Sequence, residues 1–221
     1  EKMNIQSDLA TLEFAQKQKA ILEEHIGKAA AQDARFPLLA QIPGVGLING
    51  TNILAAIGDI RRFDQPRKLV GYAGLGARVH DSGESRTTGK ITKAGRRDLR
   101  SAMVQAANIA VQHHVFWKKE LARLEPRLGR GRAVVLIARK LLVAVWHILS
   151  KEVADRHADP RDVASSLFQH AYKMKVRNLP NQMSAKQWTR YQLDRLGIGA
   201  DLNEIPWGTK TVKLPPSRLK P

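Results

Sequence analysis

Cysteine is absent from the 221 residues, so disulfides, thiolate nucleophiles and cysteine-ligated zinc are excluded, which is compatible with a reducing cytoplasm, the expected location. Aromatic residues make up only 5% of the chain, too few for the large apolar anchors of a membrane-surface helix. Long hydrophobic runs are also scarce. The most apolar stretch, Ala133 to Leu149, is broken by Arg139 and Lys140 and is shorter than the roughly 20 residues a bilayer requires, so it reads as a buried helix and no membrane partner is expected. Acidic residues are outnumbered, 20 against 37 Lys and Arg, and the resulting charge of +17 selects a polyanionic partner, with nucleic acid ranked first.

What is present divides the chain into three parts: 1–28, 29–158 and 159–221. In the first, Ile5, Leu9, Leu12, Leu22 and Ile26 follow three- and four-residue steps, while Gln16 and Lys19 occupy positions where that seam should be apolar. The pattern predicts a coiled-coil-like helix, weakened near Gly27. It serves equally a helix packed on its own domain or an oligomerising stalk, and a homo-oligomer is expected. A second helix is predicted from Ala29 to Gln41, bent at Pro37, and a third from Leu47 to Ile57, stopped by Gly58. Pro66 sits where the first turn of a short helix carrying Leu69, Val70 and Tyr72 should begin. Another helix should run from about Ala94 to His114, one from Arg161 to Asn178, and one capped by Ser184 through Arg195. Residues 205–221, with Pro206, Pro215, Pro216 and Pro221, predict an irregular, basic, partly disordered tail. The fold class is therefore mainly α.

Between the second and third helices lies Ile42-Pro43-Gly44-Val45-Gly46. As a helix-hairpin-helix element, this turn would aim the amides of Val45, Gly46 and Leu47 at a phosphate, and an ordinary tight helix-helix turn is the competing reading. From Asp81 to Arg100 the chain gathers hydroxyls, glycines and cations into what reads as one flexible loop. Ser82 precedes Gly83, with Arg86, Lys90, Lys93, Arg96 and Arg97 close in sequence, a set suited to nucleophilic attack on a phosphodiester with its developing charge already met by donors. Ser85, Thr87 and Thr88 are equally polar, and no local triad singles out one hydroxyl. The glycines of Gly71 to Ala77 lack a strand-turn-helix context, which rejects a dinucleotide site and favours close backbone packing beneath the loop. His113 and His114 are consecutive and diverge on a helix, so no metal site is expected in this chain.

Taken in order, Ile42-Pro43-Gly44-Val45-Gly46, Ile57-Gly58-Asp59-Ile60-x-x-Phe63, Leu69-Val70-Gly71-Tyr72-Ala73-Gly74-Leu75, Asp81-Ser82-Gly83 and Thr92-Lys93-Ala94-Gly95 through Leu99-Arg100 resemble the carboxy-terminal transposase domain of the serine-bearing, DEDD-type insertion-sequence transposases, the bridge-RNA-guided recombinases. The resemblance covers about Gln41 to Val153. It implies that Ser82 forms a covalent phosphoserine intermediate with DNA, that a guide RNA takes part, and that a RuvC-like domain holding magnesium on a carboxylate tetrad works with this one. That domain is not in the sequence, and the helical opening at Glu1 leads to the expectation of a longer protein. Such relatives often carry proline near Ala77. The competing function is a helix-hairpin-helix module that binds DNA or RNA without chemistry.

Overall fold

A computed structural model describes residues 2–82 and 85–219, with side chains described for 4–77 and 91–219. The protein is mainly helical. Among the described residues it has nine α-helices, three short 3-10 turns and two separate two-stranded antiparallel hairpins.

Helix α1 (Lys2–Gln32) is continuous through Gly27. Gly27, where the sequence predicts a weak point, lies against the backbone of Met174, and an added Cβ would stand 3.3 Å from the Met174 Cα. Tertiary contact thus offsets the glycine's poor helix propensity. The helix is anchored only at its end: Ala30 and Ala31 are buried, and Glu24 pairs with Lys175 at 2.8 Å and Arg177 at 2.6 Å. Ile5, Leu9, Leu12 and Leu22 remain exposed at 52–61%. The chain breaks at Asp33–Arg35, where the Asp33 carboxylate accepts bonds from the Arg35 backbone and guanidinium while Arg35 reaches the Gly58 carbonyl at 2.6 Å. The second predicted helix is accordingly divided, its first part joining α1 and the rest forming the buried turn α2 (Phe36–Ala40), with Pro37 in the position that tolerates a missing donor.

Helix α3 (Leu47–Ile57) ends at Gly58 as its sequence predicts, and α4 (Pro66–Tyr72) begins at its proline. Helices α5 (Arg97–His113), α6 (Val115–Leu128) and α7 (Arg130–Lys151) then pack together, and α4 lies against α7. By length and composition α7 could cross a membrane, yet Ala133, Ile137, Ala138, Leu141, Leu142 and Val145 are buried in this helical core. Between α6 and α7, Glu120 is a largely buried carboxylate bonded to both Arg123 and Lys140.

Residues 159–219 pack on this core. Helix α8 (Pro160–Lys173) is capped by Asp159, and its Ser166 hydroxyl donates to the Ala40 carbonyl at 2.7 Å. It stops five residues before the predicted end because Lys175 takes a left-handed φ of 62°. Helix α9 (Ala185–Leu196) carries the Ser184–Gln187 capping box. Within the predicted irregular tail, residues 204–213 form a packed antiparallel strand pair. Strand pair Glu204–Trp207 and Lys210–Lys213 buries Ile205, rests Trp207 on Phe168, and is held by Arg190, whose guanidinium donates to the carbonyls of Gly199, Leu202 and Pro215.

Candidate nucleic-acid interface

Two strands rise from the α4–α5 junction: β1 (Ala77–Ser82) and β2 (Ser85–Ile91). The predicted flexible loop is therefore largely a hairpin, in the register Ala77↔Ile91, His80↔Thr87, Asp81↔Arg86 and Ser82↔Ser85. Ser82 occupies the last pair before the turn. Five residues at roughly 3.3 Å each place it about 17 Å from the hairpin's foot. The side chains of Ser82, Arg86 and Lys90, and Gly83 altogether, lie outside the described residues. Their backbone positions put Arg86 opposite Asp81, one pair from Ser82, and Lys90 next to the foot.

The foot itself is locked by backbone contacts. Thr92 N–H bonds to Gly76 at 2.8 Å, Lys93 N–H to Gly74 at 3.1 Å, and Arg96 N–H to Tyr72 at 2.7 Å. Close approach requires glycine at Gly95, where φ is 147° and a Cβ would lie 2.3 Å from the Tyr72 carbonyl oxygen and 2.8 Å from the Gly74 nitrogen. Within the glycine-rich segment only Gly74 has the expected packing role, a Cβ there lying 3.0 Å from the Lys93 carbonyl carbon and 3.1 Å from the Ala94 carbonyl oxygen, whereas Gly71 and Gly76 have nothing within 4 Å. Arg100 crosses the same junction, donating to the carbonyls of Ala73 and Lys93, so it acts as a brace.

Around the foot the cations differ in what they are free to do. Arg96 is tied to Asp98 at 2.5 Å and reaches the Tyr72 hydroxyl at 3.4 Å, and its bond with Asp98 raises its pKa while holding the Asp98 carboxyl well below the usual range. The Lys93 and Arg97 side chains are exposed, and among the described residues neither has a hydrogen-bond or ion-pair partner. Two further members were not singled out as site residues in the sequence. Arg62 lies 4.5 Å from the Tyr72 ring centre and 4.7 Å from that of Phe63, and Tyr72 joins it to Arg96. Partial burial would raise the Tyr72 phenol's pKa, but bonds from Arg62 and Arg96 outweigh that and lower it. The signal was an Arg-Phe pair nine residues before a tyrosine, hidden because Tyr72 reads as part of α4's apolar side. Arg62, Lys93, Arg96 and Arg97 thus form a cationic collar at the foot, separated from Ser82 by the length of the strands.

The Pro43–Gly46 turn joins α2 to α3 with mixed roles. Gly44 has φ 81°, and a Cβ there would lie 2.4 Å from the Ala106 carbonyl oxygen of α5. Asn49 seals the same contact by donating to the Ala102 carbonyl at 2.9 Å. The Val45 side chain is buried and its amide bonds to the Ile42 carbonyl, so Val45 is part of the turn's framework. Gly46 caps α3, has no atom within 4 Å of a notional Cβ, and stands with the Leu47 amide at the positive end of an 11-residue helix. Of the three predicted contact residues, Gly46 is the one whose surroundings leave space for a partner.

Residues 37–122 match the Transposase IS116/IS110/IS902 family. This segment runs from α2 through the hairpin and the collar into α6. Similar proteins include the transposase for insertion sequence element IS1111A of Coxiella burnetii, 29% identical over 59% of this chain and 37% of that protein. The pilin gene-inverting protein of Moraxella bovis is 34% identical over 52% of this chain and 37% of its own length. The transposase for insertion sequence element IS1328 of Yersinia enterocolitica is 26% identical over 59% and 40% respectively. The chain therefore spans well under half the length of these relatives.

Proposed function

We propose that the chain is the strand-exchange part of a DNA transposase or recombinase, with Ser82 as the nucleophile. The observation that carries this reading is the position of Ser82 at the end of a basic hairpin inside the family-matched segment. In the reaction, the Ser82 oxygen attacks a DNA phosphorus. One phosphorus–oxygen bond to the sugar is exchanged for a serine–phosphorus bond, and the serine proton ends on the displaced sugar hydroxyl. A phosphodiester is thus stored rather than hydrolysed, which is what strand exchange needs. On this reading Arg86 and Lys90 supply phosphate contacts along the hairpin, and Lys93, Arg96, Arg97 and Arg62 grip the DNA backbone at its foot.

Gly46 and the Leu47 amide supply a second phosphate contact in a helix-hairpin-helix arrangement, with Gly44 and Val45 shaping the turn. The exposed Ile5, Leu9, Leu12 and Leu22 of α1 favour self-association. RNA guidance is carried by the family resemblance. The described residues contain no group of three His, Asp or Glu side chains placed to hold a metal. Magnesium would belong to the RuvC-like domain implied by the resemblance.

The test incubates the protein, expressed from its complete reading frame, with the flanking non-coding RNA and labelled element-end DNA. A protein–DNA adduct that survives denaturation, persists in Ser85→Ala and disappears in Ser82→Ala supports the reading. An adduct unaffected by Ser82→Ala overturns it.

A further inference from the structure

Helices α6 and α7 form a hairpin across Gly129, and residues 115–151 carry nine Lys and Arg against two Glu. Neither acid neutralises the outer face of the hairpin. Glu120 is already bonded to Arg123 and Lys140, and Glu125, two residues past Arg123, points to the other side of α6. Lys119, Arg127, Arg132, Arg139 and Lys151 are exposed, and among the described residues none of these side chains has a hydrogen-bond or ion-pair partner. Exposed arginines elsewhere do find carboxylates, Arg61 with Asp59 at 2.8 Å and Arg177 with Glu24 at 2.6 Å. Arg132 also lies in the first turn of α7, which has no acidic residue, so its charge opposes the helix dipole. A polyanion laid on this face would relieve both costs.

The cations form a track. Arg132, Arg139 and Trp146 are seven residues apart, so on a helix of 3.6 residues per turn they share one stripe in steps of roughly 10 Å. That stripe ends at the collar, because the Trp146 indole donates to the Phe63 carbonyl at 2.7 Å and Phe63 follows Arg62. On the other side, the bonds of Arg123 and Lys140 to the same Glu120 set the row Lys119, Arg123 and Arg127 of α6 beside α7.

We infer that the outer face of the α6–α7 hairpin is a second grip on double-stranded DNA, continuing the collar's track along one strand by about 20 Å, or roughly six base pairs. Residues 115–151 contain no Asn or Gln to read adenine, and single cations spaced along a stripe match phosphates, so the grip is independent of sequence. The inference rests on the DNA-binding reading of the collar and extends it beyond the hairpin of β1 and β2.

The test measures the affinity of the protein, expressed from its complete reading frame, for two DNA duplexes of unrelated sequence and one RNA duplex across a salt series. The Arg132→Gln, Arg139→Gln double variant should lower the slope of log affinity against log salt by about 1.8, equally for both DNA sequences, with a melting temperature no lower than that of the wild type. Lys118→Gln, on the far side of α6 from Arg123, should leave the slope as it was. A slope unchanged in the double variant but lowered by Lys93→Ala and Arg97→Ala overturns this surface and leaves the collar standing. Slopes unchanged in all of them overturn both. A loss confined to one DNA sequence overturns the sequence-independent grip, and a loss seen only with the RNA duplex assigns the face to RNA and overturns the inference.

Discussion

Replacing Gly44 by alanine separates packing from DNA contact at the Pro43–Gly46 turn. The new Cβ would lie 2.4 Å from the Ala106 carbonyl oxygen and 3.0 Å from its carbonyl carbon and Cα, all backbone atoms of α5 that cannot rotate away. A φ of 81° adds about 1–2 kcal/mol for an L side chain, and forced overpacking about 1–3 kcal/mol, giving a loss of roughly 2–5 kcal/mol. In a chain of this size each kcal/mol moves the melting temperature by about 2–4 °C, so Gly44→Ala should melt roughly 4–20 °C lower. Gly46→Ala meets open space at an ordinary φ of −83° and should cost only about 0.5 kcal/mol, the difference between a glycine and an alanine N-cap. Thermal unfolding followed by circular dichroism measures both. A Gly44→Ala protein as stable as the wild type but defective in DNA binding would refute the reasoning, because it would mean that this glycine makes room for a partner and not for α5.

Lys93→Ala and Arg97→Ala should each weaken DNA binding without altering stability, and each should lower the slope of log affinity against log salt by about 0.9; an unchanged slope in both would remove them from the interface. Glu120 gives a pH dependence of stability. Bonds from Arg123, opposed by partial burial and aided by Lys140, hold its carboxyl at about 2 against an ordinary value near 4.5. A depressed folded pKa contributes stability that is complete above the unfolded value and is lost as pH falls through the folded one. The contribution, on the order of 1–3 kcal/mol, should therefore disappear between about pH 4.5 and 2, and Glu120→Gln should be less stable at pH 7 and lack that part of the acid transition in urea titrations. Ser184→Ala removes the capping box of α9 and should cost about 1 kcal/mol in the same titration, with no effect on DNA affinity.

Much of the helical frame is legible because its signals are local. Gly58 stops α3, Pro66 starts α4, Ser184 caps α9, and the apolar run inside α7 fills the core. Where tertiary contact decides, the sequence is silent: nothing near Gly27 announces Met174, and nothing near Asp33 announces that Arg35 will reach Gly58. The hairpins escaped for a different reason. Residues 77–91 are rich in Ser, Thr, Arg and Lys and lack the alternating apolar face that marks a half-buried strand, while the prolines around β-pairing residues 204–213 resemble a linker. For the site, the order of motifs leads to Ser82 and the basic residues, but not to their separation. That Lys93, Arg96 and Arg97 stand at the foot and Ser82 at the far end follows only from the strand register. The stacking of Arg62 on Tyr72 became visible only when α4 and the preceding turn were brought together.

The central claim is that Ser82 becomes covalently joined to DNA. The most direct measurement is mass spectrometry of the protease-digested protein–DNA adduct, after nuclease trimming. A nucleotide-phosphate mass is expected on the peptide containing Ser82, with fragment ions placing it on that residue. Localisation to Ser85, Thr87 or Thr88, or to Tyr72, would contradict it.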